Sequence, residues 1–428
     1  MQISHQHSSD VHYIVSRERS SPSTFTMNLV LPLLPNGQQL LSVAFGIFKC
    51  FGFIPYPFDC CTFTLTPSSN VRSLLHLPIL QVSFYLTLFC IIMSNRVNFF
   101  FTGLQILSLN DIIKYGTLTL SVFAIFIDTV LQRNTHRLVW EKIALIRLSA
   151  RKVYVERFTR HYLWKFYGYL AVCAFLEAQV LYLAWDDPSD LAYWLVIMIL
   201  HAFLRLRHLF HMFFIDTLKI HLQKLHHDLV DAGEYMADLV EQPQDTAVFR
   251  AMYAQSVDRL LSLKSVYGQL WELSDCINRN FGWSQICNFT GNFVQLSCDL
   301  YWLYMSMKWF EATEYKGNSF SIILIIVFSN SVLLLVVIVI TLLPSTSIIV
   351  LLLSSAESCL GVAASLQSAL LDIPMGNDST FRKIIYRFGL QIAQQRIRLT
   401  AHGLFEINYS LLKMVKFNAK AKFSLVIT

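Results

Sequence analysis

The chain has 428 residues, of which 54% are hydrophobic and only 14% charged, with 33 Phe. Soluble domains carry about 25% charged residues, so the composition excludes a salt-bridge-rich soluble domain, a disordered chain and a coiled coil, and points to a polytopic membrane protein. The net charge is +6, but in such a chain the position of charges matters more than their sum, and nucleic-acid binding is not indicated.

Residues 1–37 are mostly polar at the start, with Arg17, Glu18 and Arg19 and no apolar core of a secretory signal. They read as a flexible cytosolic tail. Residues 38–71 form a second unit. Their apolar part, 39–58, is interrupted by Lys49, Gly52, Pro55 and Pro57, which suits an interfacial or re-entrant segment and linker better than a crossing.

A bilayer core of ~30 Å takes about 20 apolar helical residues. From residue 72 to 428, seven such windows predict an all-α, seven-helix membrane domain, with spans near 74–93, 112–131, 163–185, 191–215, 281–307, 320–343 and 400–428. The fourth has 14 uncharged residues before Arg205 and Arg207, which read as snorkelling to inner headgroups or facing cytosolic helices. The fifth is weaker, rich in Asn, Gln and Cys. The sixth is the strongest and is expected to end at Pro344. The seventh begins near Thr400 and is apolar only to Leu412.

Loop charge sets the orientation. Residues 133–160 carry eight Lys/Arg against two Glu, whereas 186–190 carry three Asp and no cation. The first loop is therefore cytosolic and the second external, which puts the N-terminus inside and the C-terminus outside. On this topology 216–280 is cytosolic, and its leucines recur at three- and four-residue spacing around a break at Pro243. It reads as helical extensions of spans 4 and 5. A third amphipathic helix, 380–399, precedes span 7. Together they can build a cytosolic domain for subunit contacts, or a set of membrane-surface helices.

The nine Cys show no zinc or disulfide pattern and read as small apolar fillers. No P-loop, GxGxxG, HExxH or GxSxG motif occurs. Neither an enzyme, a metal site nor a cofactor is expected. The Asp-Arg-Tyr and Asn-Pro-x-x-Tyr motifs of G-protein-coupled receptors are absent as well.

Two stretches carry a resemblance. One comprises Tyr267, Leu270, Leu273, Ile277, Asn278, Phe281 and Gly282. The other comprises Thr400, Ala401, Gly403, Phe405, Ile407, Asn408, Leu411 and Leu412. With a weaker match at Gly52, Phe53, Pro55 and Asp59, they are similar to insect gustatory receptors, in the same order along the chain. The ending departs from that family. Its Thr-Tyr and Gln-Phe pairs are missing, and Lys413, Lys416, Lys420 and Lys422 fall where apolar residues belong. A tail from about Val415 that is not the natural one is the expectation. If the tail is genuine, a non-conducting membrane protein is.

The resemblance implies a ligand-gated, non-selective cation channel opened by a small-molecule tastant, bitter or aversive rather than sugar. It also implies a tetramer, homomeric or with other gustatory receptor subunits, in the plasma membrane of a gustatory neuron's dendrite. A metabotropic seven-span receptor is the rival. Ionisable groups inside spans are default site candidates, which selects Glu177 and Asp299, although both also suit structural contacts between helices. Gln179 and Gln295 add polar groups. Tyr182, Trp185, Tyr193, Trp194 and Trp302 suit apolar pocket walls, and all of these but Tyr182 also suit an outer aromatic belt. One face of Phe405, Tyr409 and Leu412 is expected to line the pore, with Gly403 as hinge or packing point.

Overall fold

The computed structural model describes residues 35–54, 58–59, 64–65, 105–147, 152–183, 185, 188–240, 247–314, 320–374 and 379–411. The expected first span at 74–93 and the chain from 412 onward, including Leu412 and the lysine-rich tail, lie outside them.

The fold is nearly all helical. Helix α1 (Pro35–Cys50) places Leu41, Ala44, Phe45 and Phe48 at three- and four-residue spacing on one fully buried face. Phe45 meets Trp140, Phe210 and Phe213 edge-on. A turn follows, with Gly52 at φ 75°, and Phe53 is again fully buried. The segment expected to be interfacial is thus a helix seated on the bundle. A short antiparallel pair follows it, β1 (Phe58–Asp59) with β2 (Thr64–Leu65).

The bundle consists of α2 (Gln105–Leu131), α3 (Arg133–Arg147), α4 (Lys152–Leu183), α5 (Pro188–Val240), α6 (Ala247–Glu314) and α7 (Phe320–Leu371). Helix α5 packs on α7, α6, α4 and α2, and α6 also packs on α2, α3 and α7. At 1.5 Å per residue, the 53 residues of α5 reach ~80 Å and the 68 of α6 ~100 Å. Both exceed a bilayer. Spans 4 and 5 therefore continue unbroken into the expected extensions, where Leu218, Leu222, Leu225 and Leu229 meet the core in the predicted spacing.

Two boundaries differ from expectation. Helix α7 does not end at Pro344 but runs through it to Leu371. Proline removes one backbone donor and opens a helix locally. Here Tyr169 donates to the Pro344 carbonyl (2.8 Å), Ser347 donates to the same oxygen (3.0 Å), and Thr346 donates to Leu342 O (3.0 Å). These hydroxyls bond carbonyls on the turns beside the proline, and the helix continues past it.

The second difference concerns span 7. After α8 (Ser379–Gln394), in which Phe381, Ile385, Phe388 and Ile392 are buried, residues 400–406 are not helical. They form an antiparallel hairpin, β3 (Thr400–Ala401) with β4 (Phe405–Glu406), in the register Thr400 to Glu406 and Ala401 to Phe405. His402 and Gly403 take φ values of 51° and 77° in its turn. Helix resumes only at Tyr409. The expectation of a span running as helix from Thr400 is therefore corrected: residues 400–406 form a hairpin, and the helical turn at 409–411 leads out of the described residues.

Candidate functional site

Helices α2, α4, α5 and α6 are joined by ion pairs inside the bundle. Arg205 on α5 donates to Glu177 on α4. Lys114 on α2 donates to Asp299 on α6, and these two side chains are only 9% and 4% exposed. Gln295 sits one turn before Asp299 and is buried. His201, one turn before Arg205, is buried within the electrostatic reach of both Arg205 and Lys114. Glu177 thus stands on α4, and Gln295 and Asp299 on α6, each carboxylate with its own cation. A carboxylate paired this way holds two helices in register and presents a polar, charge-balanced wall to whatever lies between them.

The remaining candidates are distributed differently. Gln179 is exposed, and Tyr182 and Trp185 are 78% and 70% exposed. Gln179 and Tyr182 stand on the outer surface of α4, and Trp185 in the turn beyond its end. Trp194 is half-buried against the core. Tyr193 and Trp302 belong to α5 and α6, but their side chains lie outside the described residues. Of the pore candidates, Gly403 is in the exposed hairpin turn. Phe405 is half-buried in β4, its ring 5.6 Å from that of Phe289 on α6. Tyr409 opens the following helix. Phe405 and Tyr409 therefore do not share a helical face, and Gly403 is not inside a span: its positive φ serves a turn.

A second polar centre escaped sequence reasoning. Arg207 is fully buried rather than snorkelling. It donates to Ser284 Oγ (2.8 Å) and to Asn280 O (3.4 Å), and its guanidinium lies 4.5 Å from the Phe281 ring centre. Ser284 donates to Asp128 through its hydroxyl, and through its backbone N–H at 3.2 Å. Asp128 and Arg207 approach to 3.9 Å. Further along α6, Gln285, Asn288, Asn292 and Gln295 are all buried. Their three- and four-residue spacing is a helical stripe, and it is the signal that was available in the sequence: it explains why span 5 looked weak.

Around the hairpin, the two stretches that carried the resemblance meet. Asn278 Nδ2 donates to Arg398 O (2.7 Å), and Thr400 N donates to Asn278 Oδ1 (2.9 Å). Tyr267 donates to Gln395 O (2.9 Å). Burial of the Tyr267 phenol pushes its pKa up to about 12, so it remains a donor throughout the physiological range. A cavity of about 610 Å³ lies beside this junction, lined by Tyr267, Glu357, Arg396, Arg398, Glu406 and Asn408 among others. Among the described residues no group of three or more metal-ligating side chains occurs.

Long apolar helices, ion-paired within the bundle and prolonged beyond a bilayer's thickness, define a multi-pass membrane protein. The family model described as 7tm chemosensory receptor matches residues 41–417. The chain belongs to that family, which is one of receptors and not of enzymes. Comparison with curated proteins gives no match. Among solved structures, the chain is similar to the insect olfactory receptor OR5 from Machilis hrabei. Identity is 11% and the TM-score 0.59, over 92% of this chain and 97% of that one. The same receptor in complex with eugenol aligns with a TM-score of 0.57 at 12% identity, over 92% and 98%. At such identities the likeness is one of fold.

Proposed function

We propose that this chain is a gustatory receptor subunit: a ligand-gated, non-selective cation channel opened by a small-molecule tastant. The observation that carries the site is the pairing of Glu177 with Arg205 and Lys114 with Asp299 across four helices of the bundle. A neutral molecule wedged between these helices meets satisfied charges, and shifts α6 relative to α2 and α5. The segment from Tyr409 onward lines the pore of a tetramer, homomeric or shared with other gustatory receptor subunits. The N-terminus is cytosolic and the protein resides in the plasma membrane of a gustatory dendrite. A bitter or aversive ligand is favoured over a sugar. Family membership supports the chemosensory role, and the eugenol complex of the Machilis hrabei receptor supports small organic ligands as a class.

The test is whole-cell recording from cells expressing the chain, with G-protein signalling blocked, against denatonium, caffeine, sucrose and eugenol. A cation current that survives the block is the expected result. Responses that vanish under the block favour the metabotropic reading, and a response to sucrose alone overturns the bitter preference.

A further inference from the structure

We propose that Asn278, Gly282 and His402 form a clamp through which α6 and the hairpin move as one body, so that a shift of α6 is delivered to the helix starting at Tyr409. These are positioning residues, and their role rests on the channel reading above.

Asn278 uses both ends of its carboxamide on the backbone flanking Leu399: Nδ2 on the Arg398 carbonyl and Oδ1 on the Thr400 N–H. The side chain thus imitates a strand edge and fixes where β3 begins. One turn later Gly282 leaves no room for a side chain. A Cβ there would lie 2.8 Å from the His402 backbone N and 2.9 Å from its Cβ. The absence of a side chain at 282 is what lets the turn seat against the helix. The next residue, Trp283, covers the turn, with its ring centre 4.7 Å from that of His402. His402 has positive φ although it is not glycine. Such a conformation costs energy and persists where neighbours hold it. Leu399 and Ala401, on the α6 side of the strand, are fully buried.

The clamp sits where it can transmit. Ser284, two residues past Gly282, is bound to Asp128 on α2 and Arg207 on α5. Asp299, four turns further along the same continuous helix, is bound to Lys114. Any displacement of α6 against α2 and α5 therefore passes the clamped segment. Beyond the hairpin, Tyr409 N reaches Glu357 on α7 at 3.3 Å. The incoming helix is thus held on one side by α6, through the hairpin, and on the other by α7. Two packed bodies with a fixed joint convert a small helix shift into a movement of the next element.

Hydrogen exchange on the full-length protein in detergent tests the joint without any ligand or current. Asn278→Ala is expected to speed exchange of peptide 399–407 by about tenfold or more, with peptides from α2 and α5 unchanged. Asn278→Asp keeps the acceptor and loses the donor, so it should fall between. Gly282→Ala should act like Asn278→Ala. Exchange of 399–407 at the wild-type rate in Asn278→Ala overturns the clamp. A second arm records responses to the denatonium, caffeine, sucrose and eugenol panel at matched surface expression. Asn278→Ala should raise the half-maximal concentration or lower the maximal response of whichever compound opens the wild type, by several-fold, and Asn278→Asp should partly restore it. Unchanged responses overturn the transmitting role. A wild-type chain that passes no current for any compound counts against the channel reading, while the exchange arm still decides the clamp.

Discussion

Asp299 and Lys114 meet at less than a tenth of full side-chain exposure, so neither charge has water to fall back on. Removing one partner of such a pair leaves the other buried and uncompensated, which costs about 3–5 kcal/mol, whereas replacing both by apolar groups can be neutral. Lys114→Met is therefore expected to lower the melting midpoint of the detergent-solubilised protein by several degrees, and Lys114→Met with Asp299→Leu to recover most of it. A single variant as stable as wild type would mean that the pair is not closed in the membrane. The carboxylates of this centre were legible in the sequence as ionisable groups within spans. Their partners were not. Lys114 lies 185 residues from Asp299 in sequence, and no periodicity within one helix names a cation on another. Arg205 and Arg207 were visible, but two arginines near the end of a span resemble headgroup anchors until the facing helices are known.

His136 provides a titration at the same scale. It lies on α3, in the basic loop outside the spans, and its ring packs edge-on against Phe210 and Phe214. Burial, reinforced by the nearby Arg207 charge, holds its pKa well below the ordinary histidine value. The unfolded chain takes up a proton at about pH 6.5; the folded one does not until much lower pH. Protons then bind preferentially to the unfolded state, and stability falls as pH drops below about 6.5. His136→Gln is expected to flatten this part of the dependence: its melting midpoint should fall less between pH 7.5 and pH 5.5 than that of the wild type. Equal slopes would show that His136 is protonated in the fold.

At the scale of elements, period decided what could be read. The extensions of α5 and α6 and the buried face of α8 have apolar residues three and four apart, and helices form there, although α8 stops at Gln394 and not at 399. The hairpin was misread because 400–412 is apolar on average. Its buried residues alternate, with Leu399, Ala401 and Ile407 inward and His402, Leu404 and Glu406 outward. That two-residue period is the strand signal, and His-Gly at its centre marks the turn. Pro344 misled in the opposite sense, because a proline inside a long packed helix does not have to end it. The turn gives a direct check. Gly403 has φ 77° and open space around its α-carbon, so alanine there meets no clash but takes on a left-handed backbone cost of about 1–2 kcal/mol. Gly403→Ala should therefore lower the melting midpoint by a few degrees and quicken exchange of 399–407. His402→Gly should relieve the same cost one position earlier. If the two substitutions have equal effects, the turn is not the one described.

For the whole molecule, the decisive quantity is which face of the membrane holds the long helical ends. The portions of α5 and α6 beyond their spans, the stretch of α7 after Pro344, α8 and the hairpin all gather at one end of the bundle, since α5 packs on α7, α6 on α3, and α8 on both α6 and α7. That end also receives α3, from the segment with eight Lys/Arg against two Glu. Positive loops near span ends stay in the cytosol, and an assembly of amphipathic helices with Arg382, Lys383 and Arg387 exposed on α8 is costly to translocate. An epitope inserted at 241–246, between α5 and α6, is therefore expected to be invisible to antibody on intact cells and to appear after permeabilisation, as is a tag on the N-terminus. A tag at 186–187, between α4 and α5, should label without permeabilisation. The reverse pattern would put the ion-paired centre at Glu177 and Asp299 nearer the cytosol. A tastant arriving from outside would then have to pass the clamp before reaching its site, and both the channel reading and the direction of transmission along α6 would have to be abandoned.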